Sequence, residues 1–148
     1  MAKDFSVYLN AYTGSYTYAT EPYSDIPSTN LKDINVYTDS GIGQLFDTPE
    51  LTKLVGQMIY SDNKANVKLQ DQSDVLAIVS QSSFFFPNGT INTIGSIYNG
   101  TNEQGYQIAN TKQLYNIVGG VGEFYNVKGN VVFETFENNL IKYTFMFQ

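Results

Sequence analysis

Gly129-Asn130-Val131-Val132-Phe133-Glu134-Thr135-Phe136-Glu137-Asn138-Asn139-Leu140-Ile141-Lys142-Tyr143-Thr144-Phe145-Met146-Phe147 is the stretch that decides the fold. In its first half, Phe133 and Glu134 fall on opposite sides of an extended chain. In its second half, Lys142, Thr144 and Met146 alternate with Ile141, Tyr143, Phe145 and Phe147. That period of two marks a strand with one face buried. Asn138-Asn139 between the halves reads as a two-residue turn, because asparagine tolerates positive φ. The segment is a β-hairpin.

The same chemistry recurs upstream. Residues 54–60, 65–69, 75–86, 90–98 and 114–118 are each β-branched or aromatic and are bounded by turn residues, the mark of short strands. Asn88-Gly89 suits a type I′ hairpin turn, and Asn99-Gly100 is a second turn signal. Residues 31–37 read as a strand running into a Ser40-Gly41-Ile42-Gly43 turn. Thr48-Pro49-Glu50 has the form of a helix start, with Thr48 as N-cap and Pro49 in the first turn, and Gly56 keeps any such helix short. The first segment holds Tyr8, Tyr12, Tyr16, Tyr18 and Tyr23 among small polar residues. It reads as an irregular arm or a short strand that ends in a loop around Pro22 and Pro27. Seven or eight antiparallel strands at this spacing predict an all-β fold, either a sandwich or a closed barrel. No linker interrupts them, so residues 31–148 form one β-domain, with residues 1–30 as an N-terminal arm or extra strand.

Composition narrows the chemistry. The chain has 148 residues, 8 Lys+Arg against 14 Asp+Glu, a net charge of −6, and no His, Cys or Trp, against 12 Tyr and 10 Phe. All the basic residues are lysine. A domain of this length buries about two-thirds of its unfolded surface and needs no covalent staples. Without Cys there are no disulfides, thiolate nucleophiles or zinc–thiolate sites. Without His there is no imidazole acid–base chemistry and no Ser–His triad. Any catalysis falls to carboxylates, Lys, Tyr or the shape of an aromatic pocket, and no catalytic residue is assigned. Acidic charge with scattered lysines provides no footprint for nucleic acid or an anionic membrane. No apolar run approaches a spanning helix, and Met1-Ala2-Lys3-Asp4-Phe5 lacks a signal-peptide core. A soluble protein is expected, cytoplasmic or part of an assembled particle.

The local motifs carry little chemistry. Gly41-Ile42-Gly43 and Gly119-Gly120-Val121-Gly122 lack the third glycine and the helix of a dinucleotide fingerprint, and read as turns. Asp71-Gln72-Ser73-Asp74 lacks the glycine and ligand spacing of a calcium loop, and reads as a solvated turn. Glu134 and Glu137 sit three apart on an extended chain and do not pair as acid and base. No metal or other cofactor is expected.

One combined pattern is more specific: Phe86-Pro87-Asn88-Gly89-Thr90-Ile91, Ile94-Gly95, Ile117-Val118-Gly119-Gly120-Val121-Gly122-Glu123-Phe124, Val127-Lys128-Gly129-Asn130-Val131 and Lys142-Tyr143-Thr144-Phe145. It resembles the C-terminal half of the allene oxide cyclase and dirigent barrel superfamily. Likeness is good over residues 84–148 and thin over 31–69. The resemblance implies an eight-stranded antiparallel β-barrel whose Gly-Gly-x-Gly-x-Phe turn folds Phe124 over a rim. It also implies an apolar lumen for a hydrophobic small molecule, catalysis by confinement of the cyclase or dirigent kind, and homo-oligomers. Plant cyclases of the family use a carboxylate and an amide near the first strand and a Cys deeper in the barrel. Here the first strand offers Asp33 and Asn35, with no Glu, and there is no Cys.

The candidate ligand-binding residues are Asn35, Tyr37, Tyr60, Tyr98, Tyr143 and Phe145. A buried Tyr or Asn needs a hydrogen-bond partner, which a ligand supplies. The competing expectation is a non-enzymatic structural subunit of a coat, virion or filament, self-associating through Tyr-rich surfaces.

Overall fold

A computed structural model describes residues 2–10, 16–22, 36–68, 74–98 and 112–148. Their nine strands are β1 (Phe5–Asn10), β2 (Tyr16–Pro22), β3 (Val36–Phe46), β4 (Leu54–Lys68), β5 (Asp74–Phe86), β6 (Gly89–Tyr98), β7 (Lys112–Gly122), β8 (Gly129–Thr135) and β9 (Leu140–Phe147). The one helical element among the described residues is a 3-10 turn at Glu137–Asn139. All pairings are antiparallel, in the order β1-β9-β8-β7-β6-β5-β4-β3-β2. β1 returns to β3 through Tyr8 opposite Phe46, which closes eight strands into a barrel. β2 lies along the same edge of β3, from Tyr16 opposite Gly43 to Pro22 opposite Tyr37. Closure joins the β1 and β3 edges to each other at Tyr8 and Phe46, as barrels do with their edges.

The alternation read from 129–147 holds in β9 from Ile141 to Met146, whereas in β8 Val131, Val132 and Phe133 are all buried. In β9, Ile141, Tyr143 and Phe145 are buried and Lys142, Thr144 and Met146 are half-buried. Asn138 and Asn139 both take φ of 61° in the turn, and the Leu140 N–H donates to the Glu137 carbonyl. The buried side chains of the other strands share the interior, from Val7 and Leu9 in β1 to Val131 and Phe133 in β8.

Three local expectations change. Gly41-Ile42-Gly43 lies inside β3, and Gly41 faces Tyr60 across the ladder, so these glycines serve strand packing and make no turn. Thr48-Pro49-Glu50 starts no helix. Leu54 is already paired with Phe46, so residues 47–53 must reverse the chain at once. They do so with Leu51 at φ 57° and hydrogen bonds from Leu51 N–H to the Thr48 carbonyl (3.1 Å) and Asp47 N–H to the Lys53 carbonyl (3.2 Å). The β5–β6 turn is Pro87-Asn88, because Phe86 faces Gly89. Asn88 is not at positive φ, so the turn is neither type I′ nor type II; proline's fixed φ suits the first central position of a type I turn and sets the register. Residues 31–35, 71–73 and 99–100, on which other expectations fell, lie outside the described residues.

One end of the barrel is capped by aromatics. Gly122 takes φ 66°, and the chain turns through Tyr125 N–H to the Gly122 carbonyl (3.1 Å) and Glu123 N–H to the Asn88 carbonyl (2.9 Å). That places buried Phe124 among Phe147 (ring centroids 6.0 Å), Phe86 (5.9 Å) and Phe5 (6.2 Å). Phe5 stacks in turn on Phe145 at 4.8 Å. Such ring pairs add about 0.5–1.5 kcal/mol each beyond the area they bury.

Candidate functional site in the barrel lumen

Above that aromatic cap the interior changes chemistry. Met58, Phe84 and Ile91 form a buried apolar row, with Met58 opposite Phe84 and Phe84 opposite Ile91. One step along each strand, the next inward row is Tyr60, Ser82, Thr93 and Ile117. The step after that is Asp62, Ser80 and Gly95. Antiparallel partners share a face, and Ser80 and Ser82 are buried, so Tyr60 and Asp62 also face inward. Small residues flank the large ones: Tyr60 lies between Gly41 and Ser82 on the neighbouring strands.

Tyr115 and Tyr143 complete this layer. Phe133 lies between their rings, 5.8 Å from Tyr115 and 5.3 Å from Tyr143, and Phe84 meets Tyr143 edge-on at 5.0 Å. The Tyr115 phenol shares a hydrogen bond with the Ser80 hydroxyl. Burial pushes the ionisation of Tyr115 far above the usual phenol range, and the Asp62 carboxylate adds to the shift. Tyr143 moves the same way, first through burial, then through Tyr115, Asp62 and Tyr60. Both phenols therefore stay protonated throughout the physiological range and act as neutral hydrogen-bond donors, not as bases.

Thr93 is the unusual member. Its Oγ1 is buried and has no hydrogen-bond partner among the described residues. Leaving such a group unsatisfied costs about 1–3 kcal/mol. It sits next to a β-bulge, since Asn92 faces Gly119 but Thr93 faces Ile117. Bulges recur where a strand re-aims a side chain beside a site.

Of the residues expected from sequence, Tyr60 and Tyr143 meet in this layer. Phe145 is fully buried nearer the cap, against Phe84 at 4.9 Å and Phe86 at 6.0 Å. Tyr37 and Tyr98 lie in β3 and β6, where only the backbone is described, and Asn35 lies outside the described residues. Sequence reasoning missed Asp62, Ser80, Ser82, Thr93 and Tyr115. For Tyr115 a signal existed, because it is two residues from Ile117 and shares its face.

No family model matches the sequence, and no curated protein matches it either. Solved structures do share the fold. Pyocyanin demethylase superposes with a TM-score of 0.58 at 14% identity, over 99% of this chain and 100% of that one. A structure described as a nonspecific heme-binding cyclase that catalyses (4 + 2) cycloaddition during neoabyssomicin biosynthesis superposes with a TM-score of 0.57 at 15% identity. It matches over 98% of this chain and 63% of that one. At such identities the likeness is one of fold.

Proposed function

We propose that the chain binds a hydrophobic small molecule carrying a hydrogen-bond acceptor inside the barrel, and acts on it in a cyclase-like or dirigent-like manner by confinement. The observation that carries this reading is the buried polar layer: the Thr93 hydroxyl, unpaired among the described residues, in one row with Tyr60 and Ser82, one step along the strands from the apolar row Met58, Phe84 and Ile91. A barrel interior that only needed filling would be satisfied by aliphatic side chains. Donors at fixed positions beside apolar side chains would orient a carbonyl-bearing guest. Holding a flexible substrate in a reactive conformer is catalysis that needs neither His nor Cys. Pyocyanin demethylase and the cycloaddition cyclase, which act on small molecules, support the reading at the level of the scaffold.

The test is Thr93→Val, which keeps the shape and removes the hydroxyl. Against a panel of apolar ketones and enones, binding should weaken about fivefold, the size of one neutral hydrogen bond. The melting temperature of the unliganded protein should hold or rise, because an unpaired buried group is gone. Binding unchanged by the substitution would remove Thr93 and the polar layer from the site.

The assembly-subunit reading is favoured by a different observation. The outer face of β3–β5 exposes Ile42, Ile59 and Phe85, with Ile42 opposite Ile59, and β7 exposes Val118 and Val121. Outward apolar side chains of this kind suit contact between copies. It is compatible with a ligand-binding lumen, which a pure coat or filament subunit does not require.

A further inference from the structure

A recess lies on the outside of the aromatic cap. It opens between the N-terminal residues, the 47–53 turn, the Pro87-Asn88 turn and the turn carrying Phe124, and its volume is about 710 Å³. Phe5, Phe86 and Phe124 line its floor. Leu54, 52% exposed, forms a wall. The size falls within the range of small-molecule sites.

Charge is arranged around this apolar floor. Lys3 and Lys53 stand on the rim, and neither has an ion pair among the described residues. The opposing charge, Glu123, is held to one side: its Oε2 accepts a hydrogen bond from Asn88 Nδ2 at 2.8 Å. Asp4 is turned to the neighbouring strand, where its Oδ1 accepts from the Phe147 N–H at 2.9 Å. That bond fixes the N-terminal segment against β9 and so holds Lys3 beside the recess. The lining side chains carry two positive charges and one negative, whereas the whole chain has a net charge of −6, so the recess is locally the better place for an anion.

We infer that this recess binds an amphiphilic monocarboxylate, with its apolar ring or chain over Phe5, Phe86 and Phe124 and its carboxylate between the Lys3 and Lys53 ammonium groups. One anionic group is the expected number, because Glu123 cancels part of the rim charge and disfavours a dianion. The rim sits in solvent, so the charge selects the ligand while the aromatic floor supplies the affinity. The recess is separate from the polar layer of the lumen, and the Phe124 cap lies between them. Its occupation does not depend on the lumen reading.

The test compares decanoate with decyltrimethylammonium, two probes of one tail length and opposite charge, by calorimetry on the full chain below their micellar concentrations. Decanoate should bind at least about tenfold more tightly than the cation. Amide shifts should concentrate at residues 53–55, at 86 and 88, and at 123–124. The double variant Lys3→Gln/Lys53→Gln should cost about fivefold to tenfold, Leu54→Asp should abolish binding, and Thr93→Val should leave it unchanged. All three substituted recess positions are at the surface, and unchanged circular dichroism would confirm that the variants fold. Equal affinity for the two probes, or decanoate binding that survives both recess variants, would overturn the assignment.

Discussion

Tyr115 and Tyr143 place their phenols in the barrel interior, where burial and the Asp62 carboxylate oppose ionisation. The sign of the linkage follows directly. In the unfolded chain a tyrosine ionises near pH 10; in the folded barrel these two do so only well above that. Their contribution to stability is therefore fully present below about pH 10. It is lost as pH rises further, because the unfolded state then releases protons the folded state retains. Each such phenol removes about 1.4 kcal/mol of stability per pH unit in that window. Thermal melts should be insensitive to these groups between about pH 6 and 9 and should fall steeply in stronger alkali, with Tyr143→Phe flattening the fall. An alkaline slope identical in that variant would mean Tyr143 is not held protonated by the fold. Asp62 shows why part of the site was not legible. It lies between Ser61 and Asn63 in a polar stretch that reads as solvent-facing. Only its register opposite Ser80 turns it inward.

Strand pairing explains both what could be read in advance and what could not. β9 was legible because Ile141, Tyr143 and Phe145 alternate with Lys142, Thr144 and Met146 and are its buried residues. Gly41-Ile42-Gly43 was misread because glycine marks turns in most sequences, whereas here Gly41 leaves room beside Tyr60. Residues 54–60 and 65–69 read as two strands, yet 54–60 and 65–68 are parts of the single strand β4. The polar run between them looked like a break, and barrel closure overrides that local preference. Gly95 tests this level. A Cβ there would run into the Tyr115 ring, which packs over the glycine from β7. Gly95→Ala must displace that ring and with it the Ser80 hydrogen bond, at a cost of about 1–3 kcal/mol. The melting temperature should fall, and the Tyr115 ring resonances should shift. An alanine variant with unchanged stability and unchanged Tyr115 signals would show that the glycine is not the seat of that ring.

At the scale of the whole molecule, the barrel divides into a Phe-packed end and a polar layer. The resemblance in the C-terminal half pointed to this architecture because turn glycines and the capping Phe124 are sequence-local. The polar layer was less visible because it is assembled from five strands, each contributing one or two inward residues. Its outer surface, with Ile42, Ile59, Phe85, Val118 and Val121 exposed, belongs with the proposal that copies associate. Native mass spectrometry of the protein purified from its own source reports the guest and the oligomer together, and so tests lumen binding most directly. The account predicts a wild-type mass raised by a co-purified apolar small molecule, released on collisional activation and absent from Ser82→Phe, whose added ring fills the polar layer. A bare polypeptide mass in every oligomeric state of the wild type would contradict it.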